Sequence, residues 1–101
     1  RGWLGVSIQP VSEEIAEAVG LENDAGALVT LPEEETPASQ AGIRDGDVIT
    51  AVNGQAVETP RDLSRTIAGF RPGSEVEIGI WRNGEEQTID ATLGTAPTSQ
   101  G

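Results

Sequence analysis

The sequence predicts an α+β fold that is mostly β: a small, partly open barrel or sandwich of five to six short strands, capped by two to three helices. Short apolar or alternating segments separated by Gly- and Pro-containing turns indicate the strands. Between them lie short segments with apolar residues at helical spacing, each preceded by a Ser or Thr. With 101 residues, the chain is long enough for one domain with one core.

The first predicted elements are a strand over residues 6–9 and a helix over residues 13–19. We expect Pro10 to end the strand, because its nitrogen carries no hydrogen for a strand partner. Ser12 is a suitable N-cap, two glutamates follow it near the positive end of the helix, and Gly20 is a suitable end.

The middle of the chain predicts two strands around a short helical turn. Residues 27–31 form a short apolar strand. Thr36 caps the turn, a proline occupies its first position, and Gly42 ends it. The strand over residues 48–52 is almost continuously apolar, so we expect it to be central and covered on both faces.

The clearest predicted helix follows the turn Asn53-Gly54 and the short strand at 55–57. Thr59 caps this helix, Pro60 suits its first position, and Asp62 can reach back as in a capping box. The helix is expected to run to residue 69. One apolar stripe lies along it, formed by Leu63, Ile67 and Phe70.

An antiparallel hairpin is predicted to end the domain. Residues 75–81 alternate between polar and apolar, a turn follows, and residues 87–93 return with the same alternation. Trp81 is expected on the outer face of the hairpin. We assign residues 1–94 to the domain and residues 95–101 to a flexible C-terminal linker.

Composition excludes several classes of function. The net charge of −11 and the isoelectric point near 4.1 argue against binding to nucleic acids or anionic membranes. No apolar run reaches the length of a transmembrane helix, so we predict no membrane insertion. The start at Arg1 without a signal peptide suggests a segment of a longer protein.

The chain lacks the residues of most catalytic machineries. It contains no His, Cys or Lys, and its six cationic side chains are all arginines. A Ser-His-Asp, Cys-His or Ser-Lys mechanism is therefore impossible within this chain, and so is a histidine-ligated zinc site. The acidic run at 33–35, with Asp45 and Asp47, does not have calcium-loop spacing. We expect solvated loop charges and turn formers there, and no cofactor or metal.

The segment Gly2-Trp3-Leu4-Gly5-Val6 carries the main functional signal. Gly5 can adopt conformations closed to other residues, and such a turn can direct successive N–H groups at one point, as in an anion-binding nest. An alternating strand follows at once, and a nest beside a free strand edge suits capture of a peptide C-terminus. The alternative is a plain turn into a strand, with the apolar residues in the core.

Three segments together resemble the PDZ domains of bacteria. They are Arg1 to Val6, the run Ala41-Gly42-Ile43-Arg44-Asp45-Gly46-Asp47-Val48-Ile49 that continues to Asn53-Gly54, and Arg71-Pro72-Gly73-Ser74. The opening segment is similar to the first PDZ domain of Do/HtrA-type serine proteases. PDZ domains of site-2 metalloproteases and of carboxyl-terminal processing peptidases are alternative parents. The resemblance covers residues 1 to about 94.

The resemblance implies a PDZ-like fold with the circularly permuted bacterial topology and a peptide groove. It implies that amides of Leu4, Gly5 and Val6 bind a terminal carboxylate, that the following strand pairs with the peptide, and that the helix at 60–69 forms the other wall. PDZ domains of animals that prefer Ser or Thr two residues before the terminus use a His on this helix. This chain has none, so that preference is not expected. The candidate peptide-binding residues are Trp3, Leu4, Gly5, Val6, Ser7, Ile8, Ser64, Ile67 and Ala68.

Each candidate also has a structural interpretation. The apolar candidates could be ordinary core residues, Trp3 could pack on a linker, and Leu63 and Phe70 favour the core over the pocket. The resemblance implies a non-catalytic module that captures C-terminal peptides of unfolded or envelope proteins in the bacterial periplasm. An upstream protease domain, and possibly a second PDZ domain, would be its partners in the parent protein. A scaffold that holds oligomers together or gates access is the alternative.

Overall fold

The computed structural model describes residues 1–97, which form three helices and eight strands. The helices are α1 (Glu13–Val19), α2 (Pro37–Ala41) and α3 (Pro60–Ala68). The strands are β1 (Gly2–Trp3), β2 (Ser7–Pro10), β3 (Ala27–Thr30), β4 (Val48–Val52), β5 (Gln55–Ala56), β6 (Glu75–Arg82), β7 (Glu85–Thr92) and β8 (Gly94–Thr95).

Six of these strands form one antiparallel sheet that does not close. Their order is β2-β3-β4-β6-β7, and β5 pairs with β4 beyond the Asn53-Gly54 turn. Strands β1 and β8 form a separate two-stranded ribbon, in which Gly2 opposes Thr95. The mostly β, α+β class predicted from the sequence is confirmed. No helix within residues 1–97 has both the length and the apolar character needed to cross a membrane.

The helices begin at the predicted caps. The hydroxyl of Ser12 accepts a hydrogen bond from the amide of Ile15 at 3.1 Å, and the hydroxyl of Thr59 accepts one from the amide of Asp62 at 3.1 Å. The expected capping box of α3 is not formed, because the Asp62 carboxylate accepts instead from the amide of Glu58, one residue before the cap. A complete capping box stabilises α2, between Thr36 and Ser39.

Apolar side chains cover both faces of the sheet. The main core lies on the face that carries α2 and α3, and includes Val29, Ile49, Ile78 and Ile80. A smaller cluster lies on the other face beneath α1 and is built from Val11, Ala16, Val48 and the half-buried Trp81. The indole N–H of Trp81 donates to the carbonyl of Val19 at 2.7 Å, which ties α1 to the outer face of the hairpin. Strand β4 is covered on both faces, as predicted.

Two chain segments differ from the predicted boundaries. Pro10 is the last residue of β2 rather than a residue beyond it, which an edge strand tolerates because its outer side needs no N–H donor. Thr95, assigned to the linker, pairs with Gly2 in the β1–β8 ribbon. The rest of the predicted linker includes residues 98–101, which lie outside the described residues, so its flexibility stays a prediction.

Asp47 is more than a turn former. It is 2% exposed, and its carboxylate accepts two hydrogen bonds from the guanidinium of Arg82, at 2.9 and 2.7 Å, and one from the amide of Arg44 at 2.9 Å. Arg82 also donates to the carbonyl of Gly42, at the end of α2, at 2.8 Å. The hydrogen bonds to Asp47 raise the pKa of Arg82. This paired charge connects the start of β4, the end of α2 and the hairpin.

Candidate functional site

An apolar groove of about 200 Å³ lies between the chain connecting β1 to β2 and the helix α3. Its nine lining residues carry no charged side chain. The walls are built by the N-terminal segment on one side and by the inner face of α3 on the other. The lining residues are Gly2, Trp3, Leu4, Gly5, Val6, Ile8, Leu63, Ser64 and Ile67.

The helix α2 sets the direction of the peptide groups at the closed end of the groove. The carbonyl of Leu4 accepts a hydrogen bond from the amide of Ala38, in the first turn of α2, at 2.9 Å. In a trans peptide unit the carbonyl and the N–H point in opposite directions. The N–H of Gly5, which belongs to the same peptide unit, is therefore directed away from α2.

Gly5 is required here for two independent reasons. Its φ is +80°, a left-handed conformation that residues with a Cβ rarely adopt. A Cβ on Gly5 would also lie 2.5 Å from the Cβ of Thr36, the buried N-cap of α2. The chain therefore approaches α2 too closely for any side chain at this position.

The turn leaves three successive amides available. Within residues 1–97, the N–H groups of Leu4, Gly5 and Val6 donate no hydrogen bond to a backbone or side-chain acceptor. Leu4 and Gly5 are buried, and a buried N–H without a partner is costly. Successive free amides beside an apolar groove are suited to an anionic group that ends an apolar ligand.

The strand β2 offers a free edge along the groove, because among the described strands it pairs only with β3. Ile8 lies opposite Val29 of β3. Both main-chain groups of Val29 point away from β2. Its N–H donates to the main-chain carbonyl of Asp47 at 2.9 Å, and its carbonyl accepts from the amide of Gly46 at 3.0 Å. Ile8 and Val29 are thus a non-hydrogen-bonded pair, and the N–H and carbonyl of Ile8 face the open edge.

Most of the predicted site residues come together at this groove. Trp3, Leu4, Gly5, Val6, Ile8, Ser64 and Ile67 line it. Ile67 is also a core residue, 6% exposed, so both interpretations of this side chain hold at once. Leu4 is 4% exposed and likewise belongs to the core cluster.

Two predicted residues lie outside the lining. The side chain of Ser7 is exposed, because neighbouring residues of a strand point to opposite faces and Ile8 occupies the groove side. Ala68 borders a separate depression on the outer side of α3, together with Arg1, Arg61 and Arg65. One residue along a helix turns the side chain about 100°, which moves Ala68 away from the groove that Ile67 lines. A role for either residue in binding stays a prediction.

Sequence reasoning missed two lining residues. The sequence favours the core over the pocket for Leu63, which is 2% exposed and belongs to the core, but this residue also lines the groove. Gly2 lies in the wall, where a Cβ would come within 2.7 Å of the carbonyl oxygen of Ile67 and 2.8 Å of the Leu93 side chain. The glycine before Trp3 was the available signal, since a glycine often marks a close approach of two chain segments.

Charged side chains are absent from the lining of the groove. Within the described residues, no group of His, Cys, Asp or Glu side chains is arranged to hold a metal ion. The Glu33-Glu34-Glu35 run is exposed. The arrangement is therefore suited to binding an apolar chain end with an anionic terminus, through main-chain donors rather than through cationic side chains.

Comparison with known proteins identifies the family and relatives of this chain. The family described as "PDZ domain" matches residues 2–93. A probable periplasmic serine endoprotease, DegP-like, of Rhizobium meliloti (strain 1021) is 51% identical over 97% of this chain and 19% of its own length. The DegP-like counterpart of Brucella suis biovar 1 is 46% identical over 100% of this chain and 20% of its own length. The chain thus spans about one fifth of these relatives.

Solved structures show the same fold. An HtrA-type protease, AlgW with a decapeptide, superimposes with a TM-score of 0.85 at 34% identity, covering 98% of this chain and 30% of that one. The HtrA3 PDZ domain bound to a phage-derived ligand (FGRWV) has a TM-score of 0.75 at 18% identity, covering 92% of this chain and 85% of that one. With the match over residues 2–93, these findings establish that the chain belongs to the PDZ-domain family.

Proposed function

We propose that this domain captures the C-terminal peptides of unfolded or envelope proteins by adding them as a strand to β2. The observation that carries the proposal is the set of three available amides, Leu4, Gly5 and Val6, at the closed end of an apolar groove beside a free strand edge. The amides would bind the terminal carboxylate and the groove would take the last side chain. HtrA-type relatives with peptides support this function.

The groove suits one medium-sized apolar side chain at the end of the ligand, such as Val, Leu, Ile or Phe. Its walls are apolar, and its volume of about 200 Å³ has room for one such side chain rather than several. With one buried anchor and a short added strand, we expect roughly micromolar affinity, about −8 kcal/mol. The charge of −11 repels an anionic ligand at long range, so basic residues upstream in the ligand should help at low salt.

We further propose that the parent protein is a periplasmic serine endopeptidase that this domain supplies with substrates or regulates. The identities of 46–51% with DegP-like proteins named periplasmic support this parent over a metalloprotease or a carboxyl-terminal processing peptidase. An upstream protease domain, and possibly a second PDZ domain, would be its partners within the parent.

Amidation of a ligand's C-terminus should weaken binding at least about tenfold, a loss of ~1.4 kcal/mol or more. Amidation removes the negative charge and one acceptor oxygen, and hydrogen bonds to charged groups contribute roughly 1.5–3 kcal/mol each. Paired free and amidated peptides, titrated by NMR into the isotope-labelled domain, would measure the ratio. The free peptide should shift the amides of residues 3–9 and 63–68.

Equal affinity for the free and the amidated peptide would contradict the carboxylate mechanism. Binding of neither peptide, with self-association of the isolated domain by analytical ultracentrifugation, would favour the alternative of a scaffold that docks on sister domains. Shifts outside the groove would show that a different surface binds the peptide.

The isolated domain should have no proteolytic activity of its own. The reason is chemical: without His, Cys or Lys the chain cannot form a Ser-His, Cys-His or Ser-Lys nucleophile and base. Incubation of the pure domain with unfolded casein at neutral pH, followed by gel electrophoresis, checks this expectation. Casein fragments from a preparation free of other proteases would overturn it.

A further inference from the structure

A proline lies on the open edge of β2, two residues beyond Ile8. Pro10 is exposed and lies opposite Ala27 of β3. In an antiparallel pair, residues two apart direct their main-chain groups to the same side. Since the N–H and carbonyl of Ile8 face the open edge, the carbonyl and nitrogen of Pro10 face it too. The nitrogen of a proline has no hydrogen to donate.

We propose that Pro10 ends the main-chain recognition of a bound peptide, so that full strand pairing stops at the third residue from the ligand's C-terminus. This inference rests on the proposed function, because it assumes that a peptide is added to β2. In this role, Pro10 limits the number of C-terminal ligand residues that pair with β2.

The register follows from the position of the free amides. A terminal carboxylate at the amides of Leu4, Gly5 and Val6 places the last ligand residue beside Val6. In an antiparallel arrangement, each step of two along β2 corresponds to a step of two upstream in the ligand. The third residue from the end then faces Ile8, which has both a donor and an acceptor, and the fifth faces Pro10.

The fifth ligand residue therefore meets an incomplete partner. Its N–H can donate to the carbonyl of Pro10, but its own carbonyl finds no donor there. Ordering two more residues costs more conformational entropy than one hydrogen bond offsets, so these two residues stay largely unordered. The consequence is that a C-terminal tail with three or four ordered residues binds nearly as tightly as a longer one.

An edge proline also blocks pairing between the edges of two sheets, which is a general protective device. That interpretation predicts a change in self-association but no dependence of affinity on ligand length. The dependence of affinity on ligand length therefore separates the two interpretations. Size-exclusion chromatography of each variant measures self-association independently.

The test compares two peptides with free N- and C-termini that share their last four residues and end in Val, one of four residues and one of six with Ala at the added positions. Calorimetry on the wild-type domain should show at most about threefold higher affinity for the longer peptide. The ratio of the two affinities is the gain from the longer peptide. Pro10→Val and Pro10→Ala both restore the N–H, and the gain should rise by about three- to tenfold in each.

Gln9→Val is the matched control. Gln9 lies next to Pro10 on the same exposed strand, but its main-chain groups face Leu28 of β3 rather than the open edge. The gain from the longer peptide should therefore stay at the wild-type value in Gln9→Val. Two proline variants with different side chains separate the restored N–H from the added side chain.

Three outcomes would count against the proposal. A wild-type gain above about tenfold, or an unchanged gain in both proline variants, overturns the role of Pro10 while leaving the proposed function intact, because the four-residue peptide still binds. A failure of the four-residue peptide to bind the wild-type domain overturns the proposed function and this inference together.

Discussion

Gly5→Ala is expected to weaken binding of a free C-terminal peptide at least about a hundredfold, ~2.8 kcal/mol. An alanine Cβ would lie 2.5 Å from the Cβ of Thr36, which is buried and caps α2, so the loop must move rather than the helix. The movement turns the amides of Leu4, Gly5 and Val6 away from a common point. Since each hydrogen bond to a carboxylate contributes roughly 1.5–3 kcal/mol, losing two accounts for this effect. Calorimetric titration measures it.

Gly84→Ala is the matched control for Gly5→Ala. Gly84 has a similar φ of +78°, against +80° for Gly5, but a Cβ there would meet no atom within 4 Å. Both variants bear the backbone cost of alanine in the left-handed region, about 1–2 kcal/mol. Only Gly5→Ala should lose affinity, and Gly84→Ala should bind within about twofold of the wild type. Wild-type affinity in Gly5→Ala would show that the loop does not supply the carboxylate site.

Asp47→Ala is expected to destabilise the domain by about 3–5 kcal/mol. The substitution leaves the guanidinium of Arg82, whose side chain is 15% exposed, without its carboxylate partner. It also removes the acceptor of the Arg44 amide. Because small domains have a total stability of about 5–15 kcal/mol, a large part of the stability would be lost. Urea denaturation followed by circular dichroism measures the change.

Arg65→Ala provides the comparison for an exposed ion pair. Arg65 and Asp62 lie one helical turn apart on α3, their nearest charged atoms are 3.9 Å apart, and their side chains are 73% and 39% exposed. Such pairs contribute about 0–1 kcal/mol to the free energy of unfolding, so Arg65→Ala should leave the midpoint of urea denaturation almost unchanged. Similar losses in Asp47→Ala and Arg65→Ala would show that burial does not strengthen the Asp47–Arg82 interaction.

Much of the fold could be predicted because the signals are local. The N-caps Ser12, Thr36 and Thr59 mark the helix starts, since a side-chain oxygen must satisfy the first free N–H groups close by in sequence. The alternation in the two strands of the terminal hairpin marks which side chains enter the core. The groove followed less directly: a glycine-bounded loop indicated Leu4, Gly5 and Val6, and the family resemblance indicated the wall formed by α3.

The sequence by itself determined the helices, the longer strands, the lack of His, Cys and Lys and the loop suited to an anion, because each depends on residue types or on spacings of a few positions. Only the tertiary structure decided the β1–β8 ribbon, the pairing of Asp47 with Arg82 and the entry of Gly2 and Leu63 into the groove wall. Two-residue strands have no periodicity to detect, and Asp47 meets Arg82, 35 positions away, only through the register of β4 and β6. The tertiary packing decides which N–H groups stay without a partner and which strand edge stays unpaired. The spacing of residues along the sequence does not contain that information.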